Sequence, residues 1–423
     1  SQGMPRDVAR PAIDLLYPPG AASRIPITAV TGTNGKSTTV RMIAHLLQTA
    51  GRRVGMTTTS GITVDGTLVK AVDASGPRSA RMVLNDPTVD AAVLETARGG
   101  MLREGLAYDL ADVGLVLNVT ADHLGIRGID TLRQLARLKS LVVRNVRRRG
   151  TCVLNADDPL TRRMAAVARG RVSWFTVEPL TLALRGHLAD GGTVVALEPS
   201  DRGGLLVLRE GRTQTPLLHA DEMPATFGGI AAFNIPNALA AVAAARGHGI
   251  AVETIVEGLR SFQSSYEQNP GRFNLTDAPG FTTIVDYAHN PAALRALGAA
   301  VKLFAARSPG GRRIGVISTP GDRRDEDIRE LGRIAAEHFD ELVFRERPDG
   351  RGRTAGGVVA LLQEGAIAAG MDPQHIQIVF DESAAMDAAL RMAAPQDLVA
   401  MTVTDVDGVW RQVQSFRQER VDV

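Results

Sequence analysis

Residues 30–40 of this 423-residue chain read VTGTNGKSTTV. The stretch joins the apolar run IPITAV to an amphipathic run that predicts a helix over 36–50. Its glycines, followed by lysine and serine where the helix begins, are typical of a phosphate-binding loop, because backbone N–H groups and the helix N-terminus can face the anion. The full P-loop pattern has a glycine where this chain has Val30, so the match is incomplete.

The lysine of this loop stands out against the composition of the chain. Lysine accounts for only four of the 48 basic residues, namely Lys36, Lys70, Lys139 and Lys302. A compact ammonium suits a phosphate cradle or carbamate chemistry better than a planar guanidinium does. We therefore predict that Lys36 reaches the β- and γ-phosphates of a nucleotide and that Ser37 offers its hydroxyl to Mg²⁺. A simple tight turn would need neither residue.

Alternating strands and helices predict an α/β fold with a doubly wound parallel sheet. Apolar strands are predicted at 91–95, 113–119 and 151–156, and a helix at about 130–147. A small β excursion is expected over about 180–225. Two further helices are predicted at 234–247 and 251–261.

A polar stretch rich in proline and glycine, near 263–280, predicts a domain boundary. The alternation restarts after it and indicates a second, Rossmann-like α/β domain. The predicted strands there are 282–287, 313–318, 340–345, 376–380 and 397–401, and the predicted helices are 291–306, 324–338, 356–369, 382–393 and 407–418. We accordingly divide the chain into an N-terminal extension (1–23, with 1–3 as a tag remnant), a P-loop central domain (24–267) and a C-terminal domain (268–423).

Composition excludes some classes of protein. The formal net charge of +2 argues against a nucleic-acid-binding chain, and we interpret the basic cluster 144–150 as a solvated helix end. The sequence has no apolar run long enough to span a membrane and no visible signal peptide. A single cysteine, Cys152, is compatible with a reducing, cytoplasmic location.

Polar residues follow several predicted strands, at the edge where α/β sheets bind ligands. Glu95 ends one strand, and Asp122 and His123 follow another, so Glu95 and His123 are candidate magnesium ligands. The pair at 157–158 either contacts a nucleoside or caps the next helix. The motif DYAHNP brings polar groups to the corresponding edge of the second domain, namely Asp286, His289 and Asn290. Spacing alone does not decide whether Lys139 is functional or a solvated surface residue.

Together these motifs resemble the Mur ligase superfamily, the ATP-dependent amide ligases that include folylpolyglutamate synthetases. The short phosphate loop of that family, T-G-T-N-G-K-[ST], matches residues 31–37 and accounts for Val30. Within the family, LETARGGMLR, TADHLGI, LNADDP and PGDRRDEDIRELG are most similar to the ligase module of the cyanophycin synthetase subgroup. That subgroup joins the module to an ATP-grasp domain, whereas few residues precede it here. The resemblance therefore implies a stand-alone relative, with a separate ATP-grasp enzyme or a different small product.

The resemblance also implies roles for residues at matching positions. The ATP-binding residues would be Thr31, Gly32, Thr33, Asn34, Gly35, Lys36, Ser37, Thr38, Asn234, Asn237, Arg272, Asp286 and His289. Magnesium would be held by Ser37, Glu95, His123 and, if carbamylated, Lys139. Lys36, His123 and Lys139 would be the catalytic residues. Phe233 stands where the family usually has a histidine before the Asn-x-x-Asn pair.

The function expected from the family is an ATP- and Mg²⁺-dependent carboxylate–amine ligase with an acyl-phosphate intermediate. Its substrates would be an amino acid, with arginine as the leading candidate, and a small acid or aspartate-containing peptide. No nucleic-acid or membrane partner is expected, and a homodimer is expected only by likeness. The alternatives are a folylpolyglutamate-synthetase-like ligase, a non-catalytic scaffold subunit, or a P-loop kinase or GTPase. The guanine-reading Asn-Lys-x-Asp motif is absent from the sequence.

Overall fold

A computed structural model describes residues 9–16, 18, 24–122, 124–278, 280–307, 310–347 and 350–421. The predicted ligand His123 lies outside the described residues. The strands are β1 Ile27–Thr31, β2 Val54–Thr58, β3 Gly61–Val64, β4 Thr67–Lys70, β5 Ala91–Glu95, β6 Ala111–Val116, β7 Val146–Asn155, β8 Arg171–Thr176, β9 Thr193–Glu198, β10 Leu205–Glu210, β11 Thr213–His219, β12 Asn274–Ala278, β13 Phe281–Asp286, β14 Arg313–Ile317, β15 Glu341–Phe344, β16 Ile376–Ile378 and β17 Leu398–Thr402. The helices are α1 Ala9–Leu16, α2 Lys36–Thr49, α3 Pro77–Leu84, α4 Arg98–Glu104, α5 Leu132–Lys139, α6 Leu141–Arg144, α7 Pro159–Met164, α8 Leu182–Ala189, α9 Asn234–Gly247, α10 Val252–Ser261, α11 Pro291–Ala305, α12 Asp325–His338, α13 Gly357–Ala368, α14 Glu382–Met392 and α15 Val406–Val421.

The first sheet has eleven strands in the order β11-β10-β9-β8-β7-β6-β1-β5-β2-β3-β4. The strands from β9 to β2 in this order pair in parallel, and antiparallel strands extend both edges. Successive side chains of β1 face opposite sides of the sheet. Val30 packs in the apolar core with α2 and α9, whereas Ala29 packs in the core on the other face. Helices therefore cover both faces, as the predicted doubly wound fold requires.

The second sheet has six strands in the order β12-β13-β17-β14-β15-β16. All neighbouring strands are parallel except β12, which pairs antiparallel with β13 at the edge. Separate apolar cores lie on its two faces. The α/β class and the order of the elements predicted from residue 282 onwards are confirmed, whereas β12 was not predicted because it lies within the polar stretch 263–280.

Local differences from the predicted elements have local causes. The helix expected over 130–147 is divided at Ser140, whose hydroxyl donates to the carbonyl of Arg137 at 2.7 Å. The cluster 144–150 is a helix end only at Arg144, where α6 ends, because β7 begins at Val146 and carries the exposed arginines 147–149. The expected β excursion also contains helix α8, and its strands extend one edge of the first sheet.

The polar stretch after α10 connects the two sheets through specific contacts with the phosphate-loop helix. Asn269 is fully buried, and its Nδ2 donates to Thr38 Oγ1 at 3.3 Å. From α2, Arg41 donates to the carbonyl of Gln268 at 3.2 Å. These bonds place the residues that follow beside the N-terminus of α2.

Candidate active site

The phosphate loop is folded by its glycines and by one asparagine from the neighbouring strand end. Gly35 has φ 83°, and a Cβ there would come within 2.3 Å of Asn237 Oδ1, so a side chain would be both strained and obstructed. Asn118 Oδ1 accepts the backbone N–H groups of Thr33 and Asn34 at 3.0 and 2.9 Å. Asn118 Nδ2 donates to the carbonyl of Asn34 at 3.1 Å. Asn118 therefore braces the loop, a role that the sequence pattern did not reveal.

Ser37 and Glu95 meet at the carboxyl edge of the sheet, as predicted. Ser37 Oγ donates to Glu95 Oε2 at 2.7 Å and lies 3.2 Å from Thr59 Oγ1. The Glu95 side chain is buried, and its Oε1 has no hydrogen-bond partner among the described residues. A buried carboxylate oxygen of this kind is costly unless it is paired, and it is the ligand type that Mg²⁺ prefers. The pair therefore fits a magnesium ion.

Lys139 is buried, so the surface interpretation that the spacing left open is wrong. Only 3% of the residue is exposed, and its Nζ donates to the carbonyl of Gly32 at 2.7 Å. Burial, reinforced by the nearby ammonium of Lys36, lowers the pKa of Lys139 to about 7. A substantial fraction of this amine is therefore uncharged near neutral pH. Only the uncharged amine can attack CO₂.

Residues of the polar stretch and of the strand that follows it, β13, approach the phosphate loop from the side of the second sheet. Arg272 Nη2 donates to Ser37 Oγ and to Thr59 Oγ1, both at 3.1 Å. Its guanidinium lies 4.8 Å from the centre of the Tyr287 ring. Asp286 accepts the backbone N–H groups of Phe273 and Ala288 at 2.8 and 2.7 Å, and burial raises its pKa.

A cavity of about 310 Å³ lies beside the phosphate loop. Asn234, Asn237, Arg272, Asp286 and His289 line it, together with loop residues Thr33 to Thr38. The structure thus brings these predicted nucleotide contacts to one cavity. Thr31 ends β1 and Gly32 follows it, and Gly32 lines the neighbouring cavity instead.

That second cavity has a volume of about 470 Å³. Lys36, Glu95 and His289 line both cavities, so the two spaces meet at the end of the phosphate loop. Seven arginines and two lysines line the second cavity against four carboxylates. The excess of positive charge favours an acidic ligand in this space.

A buried ion pair crosses from one sheet to the other in the second cavity. Arg323 Nε lies 3.0 Å from Asp122 Oδ1, and both side chains are less than 10% exposed. His289 Nε2 lies 3.7 Å from Asp122 Oδ2. By contrast, Asp158 caps α7 by accepting from Leu160 N at 2.7 Å, so the capping interpretation applies to this aspartate.

Comparison with known proteins identifies the family. The sequence model of the Mur ligase middle domain family matches residues 30–245. The sequence model of the Mur ligase glutamate ligase domain family matches residues 271–402. The chain therefore belongs to the Mur ligase family, as the motifs predicted. The second of these models is that of a ligase domain, and the two matches together span most of the chain.

Individual relatives agree with this assignment. Cyanophycin synthetase from Synechocystis sp. is 45% identical over 401 residues, which cover 95% of this chain and 45% of that protein. UDP-N-acetylmuramoylalanine–D-glutamate ligase from Pelotomaculum thermopropionicum is 30% identical over 403 residues, covering 95% of this chain and 74% of that protein. The chain thus spans about half the length of the cyanophycin synthetases that it matches.

The chain also shares its two-sheet α/β fold with proteins of known structure. Folylpolyglutamate synthase from Mycobacterium tuberculosis, complexed with ADP and AMPPCP, matches with a TM-score of 0.66 at 19% identity, covering 95% of this chain and 93% of that one. No helix among the described residues has the length and apolar character needed to cross a bilayer.

Proposed function

We propose that this chain joins a substrate carboxylate to an amine through an acyl phosphate formed from ATP. The observation that carries the proposal is the meeting of two cavities at Lys36 and Glu95. The phosphate loop shapes one cavity, and basic side chains line the other. A γ-phosphoryl group held by the loop would face the second cavity, where a carboxylate oxygen could reach it in line.

The proposed reaction has two steps. First, a carboxylate oxygen attacks the γ-phosphorus, and the bond to the β–γ bridging oxygen breaks, so that ADP leaves with the electron pair. Second, the amine nitrogen attacks the acyl carbon, inorganic phosphate leaves, and the nitrogen loses a proton. Lys36 would offset the charge on the transferring phosphoryl oxygens. The contact between Arg272 and Ser37 supports a closed site, which would exclude water from the acyl phosphate.

We propose magnesium as the metal of this site. Ser37, Glu95, His123 and carbamylated Lys139 would hold it, and the buried, unpartnered Glu95 Oε1 supports that choice. When bound, magnesium would neutralise charge on the phosphoryl oxygens. The buried amine of Lys139, with its pKa lowered to about 7, supports carbamylation, and a carbamate would convert it into an additional carboxylate-like ligand.

An aspartate-like acceptor and an arginine-like amine are the proposed substrates. The identity to proteins named cyanophycin synthetase over 95% of this chain supports this choice, and so does the positive lining of the second cavity. A folylpolyglutamate-synthetase-like reaction is the second candidate, supported by the shared fold. A separate ATP-grasp enzyme, a homodimer and a cytoplasmic location stay predictions.

A substrate screen tests the proposed function. The chain would be incubated with Mg–ATP, an aspartyl peptide or glutamyl acceptor, and each amino acid in turn, while ADP release is followed. We expect release that requires both acceptor and amine, with an amide product of matching mass. Phosphate transfer to a hydroxyl would favour a kinase instead. Failure to bind Mg–ATP would favour a scaffold.

Carbamylation of Lys139 can be observed directly. We expect a carbamate signal in the ¹³C NMR spectrum of the protein equilibrated with ¹³C-bicarbonate at pH 8, because the buried amine is largely uncharged there. Lys139→Arg should lack the signal, since a guanidinium cannot form the adduct. Lys302→Arg, on the exposed side of α11, is the matched control and should keep it. A spectrum unchanged by Lys139→Arg would contradict the assignment.

A further inference from the structure

We propose that Asn34 and Asn290 are positioning residues whose paired side-chain amides hold the phosphate loop in the shape that binds nucleotide. The pair can form only when the two α/β units, each built on one of the two sheets, are closed against each other. The inference rests on the proposed function and adds to it a link between closure and nucleotide affinity. Asn34 lies at the tip of the loop, and Asn290 caps α11 in the second unit.

The two amides form reciprocal hydrogen bonds. Asn290 Nδ2 donates to Asn34 Oδ1 at 2.8 Å, and Asn34 Nδ2 donates to Asn290 Oδ1 at 3.3 Å. The orientation of Asn290 is determined by its cap, because its Oδ1 also accepts the backbone N–H of Ala293 at 3.0 Å. The Asn290 residue is 2% exposed, whereas Asn34 is half-buried and lines the cavity beside the phosphate loop.

The position of Asn34 makes this pair a link between the units. Its backbone N–H and carbonyl are both held by Asn118, which ties the loop to the first sheet. Its side chain has hydrogen bonds only to Asn290 among the described residues. Asn237 packs against Gly35 from the first unit as well. Among the three asparagines around the loop, Asn290 is therefore the one that opening would remove.

Opening would affect the two partners unequally. Asn290 would keep its bond to Ala293 within α11, whereas the Asn34 side chain would lose both of its bonds. The loop tip would then rely on its backbone bonds alone. A nucleotide that binds the ordered loop would favour closure, and closure would raise nucleotide affinity by the same factor. Two neutral hydrogen bonds correspond to a factor of about ten.

A double-mutant cycle tests this link. Asn34→Ala removes the loop side of the pair, and Asn290→Ser removes the other side while serine still caps α11. Affinity for Mg–ADP would be measured by calorimetry for wild type, both single variants and the double variant. We expect each single change to weaken binding about tenfold, and the double change to be no worse than the weaker single variant. Additive losses, or single variants within twofold of wild type, would overturn the proposal.

A second measurement separates positioning from a general loss of structure. Hydrogen exchange at the backbone amides of residues 33–36 should speed up in Asn290→Ser with Mg–ADP bound, while the amides of the buried strand β14 in the second sheet keep the wild-type rate. Unchanged exchange in the loop would overturn the proposal. Both measurements use nucleotide binding and not turnover. Failure of the proposed ligase reaction would instead appear in the substrate screen, with the coupling between the two asparagines intact.

Discussion

Replacing Lys36 with alanine is expected to lower amine-dependent ADP release by about a hundredfold to a thousandfold. Lys36 Nζ lies at the junction of the two cavities and donates at present to the carbonyl of Thr33 at 2.9 Å. In the proposed reaction it would contact the γ-phosphoryl group during transfer from ATP to the acceptor carboxylate. Because the charge on that group is redistributed in the transition state, the loss should fall mainly on kcat.

The matched control for this variant is Lys70→Ala. Lys70 ends β4 and is exposed, so its loss should leave turnover unchanged. The measurement is coupled detection of ADP with saturating acceptor and amine. Turnover of Lys36→Ala within tenfold of wild type would refute the role assigned to the loop lysine.

Replacing Glu95 with glutamine is expected to raise the magnesium concentration needed for half-maximal activity by about tenfold or more and to lower turnover by about a hundredfold. Glutamine has the same shape and can still accept the Ser37 hydroxyl, which now lies 2.7 Å from Glu95 Oε2. The change therefore removes charge with little effect on packing. No basic side chain is within hydrogen-bond distance of Glu95 among the described residues, and its Oε1 has no partner there, so the carboxylate has room to bind a cation.

Glu198→Gln is the matched control for the magnesium titration. Glu198 also ends a strand, β9, but it pairs with Arg209 away from the loop. Its loss should leave the magnesium dependence at the wild-type value. An unchanged magnesium dependence in Glu95→Gln would contradict the metal role of Glu95 while leaving the ligase reaction itself open.

Periodicity predicted most elements of the second sheet within one or two residues. Helix α11 was expected at 291–306 and spans Pro291–Ala305, because Asn290 and proline mark its start in the sequence.

The hairpin of β3 and β4, at one edge of the first sheet, was not predicted. Its strands are short, and β4 is exposed along its length, so the pattern carries little apolar signal.

The candidate site was predicted in part. The loop, Glu95 and the second-unit residues that line the first cavity were predicted to lie at one site because each follows an apolar strand and has a recognisable motif. Asn118 was missed, although it lies within the strand predicted at 113–119, because an asparagine at a strand end has no motif of its own. The arginines of the second cavity were missed as a group because they come from separate segments of the chain.

The identity of the phosphate loop and the α/β alternation follow from the order of residues, because backbone conformation and amphipathic spacing are local properties. Which distant groups meet at that loop follows from packing. Lys139 reaches the Gly32 carbonyl, and Arg272 reaches Ser37 across 235 positions, only because parallel strands end at a shared edge and the second unit closes over it. Burial also lowers the pKa of Lys139 to about 7. The spacing of residues in the sequence could not have indicated this change.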